Sequence, residues 1–234
     1  MSSSPADRAA ESPRLKPLAG LGPEELRIAE IFPTLQGEST LVGLPTTFVR
    51  LTACDLRCNY CDAAHAFAGG KTMTINDVAM EVARLAIPRV CLTGGEPLLQ
   101  TALPALAQRL LADGCAVSCE THGGVDIAIL PQDVSRIVDV KVPGSGEAGT
   151  FLETNLAHLT ARDEIKFVLS DRADYDYARD FIHRHAPFPC PVLLSPVWGR
   201  LDAGELGDWL LADRLDARLQ VQLHKLLWGA GTRR

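Results

Sequence analysis

The chain has 234 residues, 47% apolar and 22% charged, the balance of a soluble globule long enough to bury a full core. Its 23 Lys and Arg against 29 Asp and Glu leave a formal charge of −6, which argues against a protein living on nucleic-acid phosphates. No apolar run approaches the ~20 residues of a membrane span, so neither nucleic acid nor membrane is an expected partner.

Residues 1–25 are rich in Ser, Pro and Ala and lack the apolar stretch of a secretory signal, and Asp7 and Glu11 fit an organellar transit peptide poorly. They read as a disordered leader, with 26–234 as a single domain and a cytoplasmic location. Residues 46–51 (TTFVRL) read as a strand. Thr74 to Asp77 has the form of a capping box, and the helix it opens puts Ile75, Val78, Val82, Leu85 and Ala86 on one face. Residues 89–93 return as a strand. Leu103, Leu106, Leu110 and Leu111 mark the next helix, with Gly114 just past its end. Further strands are expected at 115–120, 136–142, 164–169, 191–195 and 219–223, separated later by helical stretches near 151–159, 175–185 and 203–211. Strand-helix alternation predicts an α/β fold, a partial (open) parallel βα barrel of about six units.

Such folds place chemistry at the carboxyl ends of their strands. Here those ends carry, in turn, a loop beginning at Cys54, then Gly94-Gly95-Glu96-Pro97, then Glu120-Thr121-His122-Gly123. Asp139 and Lys141, Ser195, and Gln222 with His224 follow at later ends. A protein that is only a core has no reason to repeat polar residues there.

Cys54-x3-Cys58-x2-Cys61 is the central motif, because three close thiolates on one loop can wrap one metal centre. Zinc needs four ligands, and His65 could complete a Cys3His site. A [4Fe–4S] cluster would instead keep one iron open for an outside ligand. The triplet alone leaves both open. Seven cysteines in a chain too large to need disulfides are expected to be packing thiols, ligands or catalysts. Cys91, Cys115, Cys119 and Cys190 read as packing residues in or beside apolar strands.

The spacing C-x3-C-x2-C after a first strand, with the aromatic Tyr60 before the third cysteine and Gly94-Gly95-Glu96-Pro97 further on, resembles the radical S-adenosylmethionine superfamily. Phe32-Pro33-Thr34-Leu35-Gln36-Gly37-Glu38, Arg50, Cys61-Asp62, Thr93, Glu120-Thr121, Lys141, Asp163 to Lys166 and Gln222-x-His224-Lys225 are similar to the 7-carboxy-7-deazaguanine synthases. That resemblance implies a carbon–nitrogen lyase of queuosine (7-deazapurine) biosynthesis. It would convert 6-carboxy-5,6,7,8-tetrahydropterin to 7-carboxy-7-deazaguanine with loss of ammonia.

By the same resemblance Cys54, Cys58 and Cys61 hold the [4Fe–4S] cluster. Tyr60, Cys61, Asp62, Gly94, Gly95, Glu96, Glu120, Asp139, Val140, Lys141, Ser195, Pro196, Val197 and Trp198 bind S-adenosylmethionine. Leu35, Gln36, Gly37, Glu38, Arg50, Thr93, Gln222 and His224 meet the small-molecule pterin substrate. Arg50 suits a bidentate grip on its carboxylate. Mg²⁺, an electron donor such as flavodoxin or ferredoxin, and a homodimer are implied as well. Ala63 departs from the pattern, since the family carries Thr or Ser there and uses that hydroxyl to support Mg²⁺. Two rival readings are an activating enzyme for a glycyl-radical partner and a zinc-stabilised binding module without catalysis. Lys166 has no role assigned by sequence; His122 stands as either a site residue or a loop histidine.

Overall fold

The computed structural model describes residues 12–230, which build one continuous sheet of nine strands. These are β1 (Glu25–Leu35), β2 (Pro45–Leu51), β3 (Lys71–Thr74), β4 (Arg89–Gly94), β5 (Ala116–Thr121), β6 (Ser135–Asp139), β7 (Glu164–Leu169), β8 (Val192–Pro196) and β9 (Arg218–Leu219). Their order is β3-β1-β2-β4-β5-β6-β7-β8-β9. From β2 onward every neighbouring pair is parallel, while β1 runs antiparallel to both β2 and β3. The sheet is open, as expected for a partial barrel.

The helices are α1 (Ile75–Leu85), α2 (Leu103–Ala112), α3 (Arg172–His185), α4 (Ala203–Asp213) and α5 (Leu223–Trp228). Thr74 caps α1 through the reciprocal bonds with Asp77 that the sequence predicts. Two apolar clusters cover the outer face. One packs α1 and α2 on β1, β2, β4 and β5; the other packs α3 and α4 on β7 and β8.

Period-two alternation explains both faces. In β7, Ile165, Phe167 and Leu169 face the helices, so Glu164, Lys166 and Val168 face inward. Register then aligns the inner polar residues: Arg50 lies beside Thr93, and Asp139 beside Lys166.

Four expectations fail here. The leader reaches too far, since Pro13–Leu18 form a 3-10 helix whose Leu15 and Leu18 are buried in the first cluster; residues 1–11 lie outside the described part. Strand β1 is absent from the sequence reading because it holds Pro33 and shows no clean alternation. Pro33 is tolerated because β3 covers β1 only from Glu25 to Ile28, leaving the rest an edge. The strand expected at 136–142 stops at Asp139. The last one shrinks to Arg218–Leu219, and residues from Leu223 onward coil into α5.

Candidate active site

The cysteine loop leaves β2 through Ala53, whose φ of 80° turns the chain back over the strand ends. Backbone bonds fix that turn: Ala53 N donates to Ala66 O at 2.8 Å, and Glu96 N to Ala53 O at 2.7 Å. Gly94, at φ 144°, and Gly95 allow this approach, since a Cβ on either would collide with the backbone of Leu51 or Ala53. Further out, Asn59 N donates to Ser145 O at 2.9 Å, and the Tyr60 hydroxyl to Val168 O at 3.1 Å.

Cys54, Cys58 and Cys61 all line a cavity of about 530 Å³ at the carboxyl end of the sheet. Burial pushes the Cys54 thiol up to about 12 and raises Cys58 and Cys61 as well. No other cysteine lines this cavity among the described residues. A single zinc ion at ~2.3 Å from each sulfur would need the three sulfurs within ~4 Å of one another. Among the described residues they form no such set, and His65 is engaged elsewhere, 3.0 Å from Glu30. Cys54 also lies in one group with Asp55 and His122, whose ligand atoms are within 4.8 Å of one another, but Asp55 and His122 bond each other, and the three thiols spread around one cavity fit a cubane.

Glu96 behaves differently from the expectation. Its carboxylate is fully buried and accepts from Thr121 Oγ1 (2.8 Å), His122 N (2.8 Å) and Leu98 N (3.0 Å). It does not line the cavity. It therefore ties the end of β4 to the end of β5 rather than facing a ligand. His122 Nε2 lies 2.9 Å from Asp55 Oδ1 and 3.3 Å from Glu96 Oε2. Burial opposes charge on His122, but Glu96 and Asp55 hold its pKa above the ordinary value. Val140, Ser195 and Pro196 are also buried without lining the cavity. The other ten residues assigned to the cofactor do line it.

The opposite end is an ion network. Lys166 Nζ donates to Glu38 Oε2 at 2.7 Å and lies 3.7 Å from Asp139 Oδ2, which Lys141 approaches to 2.9 Å. Burial opposes charge on Glu38, but Lys166 and the 2.6 Å bond from Gln222 Nε2 hold it down at about 2. Burial likewise opposes charge on Lys166 and Lys141, and their acidic partners raise both. Asp139 Oδ1 is buried without a partner among the described residues and so is an open acceptor at the cavity wall. Thr93 Oγ1 and Gln36 Nε2 donate to the two oxygens of Glu120, at 3.1 and 3.2 Å.

An adjoining cavity of about 400 Å³ shares Glu38, Arg50, Asp62, Ala63, Glu120 and Lys225 with the first. It adds Leu35, Gln36, Gly37 and His224, so all eight residues expected to meet substrate line one cavity or the other. Arg50 Nε is held by Glu30 at 2.8 Å, and its two terminal nitrogens have no hydrogen-bond partner among the described residues. The His224 ring rests on Gly37, where a Cβ would collide with Nδ1. Lys225 Nζ reaches Asp62 Oδ2 at 3.2 Å. Sequence reasoning left Lys166 aside; its signal was a lysine on the inward phase of an otherwise apolar strand.

Residues 49–166 match the Radical SAM superfamily model. The chain is 45% identical over 224 residues to a 7-carboxy-7-deazaguanine synthase of Koribacter versatilis (strain Ellin345), covering 89% of this chain and 99% of that one. It is 41% identical to another of that name from Methanospirillum hungatei JF-1, covering 86% and 85%. Among solved structures, the crystal structure of QueE from Escherichia coli shares the fold, with a TM-score of 0.72 at 23% identity over 92% of this chain and all of that one.

Proposed function

The chain belongs to the 7-carboxy-7-deazaguanine synthase family of the radical S-adenosylmethionine superfamily, and we propose that it contracts the ring of 6-carboxy-5,6,7,8-tetrahydropterin, releasing ammonia. One observation carries this reading. A loop of three thiols, Arg50 and a buried ion network all line one continuous space.

A [4Fe–4S] cluster held by Cys54, Cys58 and Cys61, together with bound S-adenosylmethionine, would supply the one-electron chemistry that begins the reaction. The chain itself binds and orients. Arg50 offers both terminal nitrogens to the substrate carboxylate, its side chain fixed by Glu30. Glu120, with each oxygen already steered by Thr93 or Gln36, accepts from ring N–H or amino groups. Lys166 stays protonated and Glu38 ionised near neutral pH, so this pair positions the substrate and moves no proton. His224, seated on Gly37, walls the pterin side from water.

Magnesium does not fit this corner. Ala63 presents a methyl group to both cavities, and the neighbouring Asp62 carboxylate is paired with Lys225.

Anaerobic turnover of reconstituted protein with the carboxytetrahydropterin, S-adenosylmethionine and dithionite tests the proposal. The expected result is brown protein with about four irons per chain, yielding the deazaguanine and ammonia. Cleavage of S-adenosylmethionine without pterin turnover would instead mark an activating enzyme, and colourless protein with one zinc a binding module.

A further inference from the structure

His65 takes no part in the cysteine site, yet it faces the substrate side of the molecule. It sits on the 3-10 turn Ala64–Phe67 that closes the cysteine loop, pinned where Ala66 N donates to Ala63 O at 2.9 Å and Ala53 N to Ala66 O at 2.8 Å. Its Nε2 lies 3.0 Å from Glu30 Oε1, the same oxygen that accepts from Arg50 Nε at 2.8 Å. An ionised carboxylate only accepts, so the imidazole carries a proton on Nε2 and donates it. Glu30 stands directly across the β1–β2 ladder from Arg50. All three side chains line the cavity of about 400 Å³, and the guanidinium carbon of Arg50 lies 5.8 Å from the centroid of the Phe32 ring.

Burial opposes charge on Glu30, but His65 and Arg50 hold its pKa below the ordinary value, so it is an anion beside the group that must grip a second anion. Carboxylate and guanidinium favour two-pronged pairing, and an unrestrained Glu30 can swing its other oxygen onto a terminal nitrogen of Arg50. That pairing would occupy the fork the substrate needs. The bond from His65 opposes the swing, because it draws Oε1 toward the 3-10 turn and keeps Glu30 on Nε alone. We propose that His65 is a positioning residue which, by restraining Glu30, reserves the two terminal nitrogens of Arg50 for the substrate carboxylate. The inference deepens the pterin reading above and rests on it. It makes the choice of a carboxylated pterin over a plain one depend on a side chain that acts only through Glu30 and Arg50.

The experiment measures anaerobic equilibrium binding of 6-carboxy-5,6,7,8-tetrahydropterin and of 5,6,7,8-tetrahydropterin to reconstituted enzyme holding S-adenosylmethionine, with no reductant present. His65→Ala should raise Kd for the carboxylated pterin about 5-fold and leave Kd for the plain one within about 2-fold. In a Glu30→Gln background, where the side chain has no charge with which to claim the fork, the same substitution should move neither Kd beyond about 2-fold. His65→Gln, whose amide can still donate to Glu30, should keep most of the preference. His65→Phe, a ring without a donor, should lose it as alanine does, and it carries the test if alanine loosens the turn. Equal weakening of both pterins, equal loss in both backgrounds, or an intact preference in His65→Phe would each overturn the positioning role. A wild-type enzyme with no preference for the carboxylated pterin would strike the reading of Arg50 and its substrate instead.

Discussion

At the cysteine end of the cavity, burial holds Cys54, Cys58 and Cys61 as neutral thiols, whereas at the other end Glu38, Lys166, Asp139 and Lys141 are paired before any ligand arrives. The first region takes its charge only with its metal, releasing protons as thiolates form. The second has met its electrostatic cost during folding and offers a finished surface to the substrate. One end is shaped by backbone bonds and the other by charges.

Removing a ligand should have the largest effect, and only at the first end. Cys58→Ala should lose the brown colour and all turnover while the chain still melts near the apo wild type; retained iron with full activity would show that Cys58 is not a ligand. The converse holds at the second end. Lys166→Met leaves the buried Glu38 carboxylate without its cation while Asp139 keeps Lys141, for a loss of about 3–5 kcal/mol in denaturant unfolding of the apo chain. Pairing it with Glu38→Leu should return much of that loss. A loss below about 1 kcal/mol in the single variant would mean that the network is solvated.

The same pair has a definite acid dependence. The pKa of Glu38 is lowered in the folded chain, so its contribution is complete above about 4.5 and disappears as pH falls toward about 2. The Glu38→Gln variant should lack that segment of the stability curve. Gly37→Ala is a smaller perturbation, because the new methyl displaces His224 but touches no charge. It should cost about 1–3 kcal/mol and raise KM for the pterin, with iron content unchanged. Smallest of all, wild-type turnover should be indifferent to EDTA and to added Mg²⁺, whereas Ala63→Thr should respond to the ion about 2-fold or more. Abolition of wild-type turnover by EDTA would contradict the account of Ala63.

The difference between the two ends also explains what the sequence reveals. Local spacing defines the cysteine end: Cys54, Cys58, Cys61 and the two glycines after β4 lie in short motifs, and the parallel strands with their helices follow from alternation. The role of Glu96 is hidden in the sequence because its donors Thr121 and His122 come from another strand. Lys166 is equally opaque, since its partners Glu38 and Asp139 lie on separate segments brought together only by sheet register. Strand β1 escapes notice because its edge position removes the half-buried pattern that marks a strand. Contacts that close over long sequence separations leave no local trace.

The open sheet has a consequence for how the enzyme comes into being. Residues 220–224 tie down the 36–39 turn: Gln220 exchanges two 2.7 Å bonds with Ser39, Leu223 N donates to Gly37 O at 2.9 Å, and His224 covers Gly37. Translation makes this strap after all nine strands. The wall of the substrate chamber is thus completed only when the last-made segment closes on one of the first, after the cysteine loop and its strands have been synthesised.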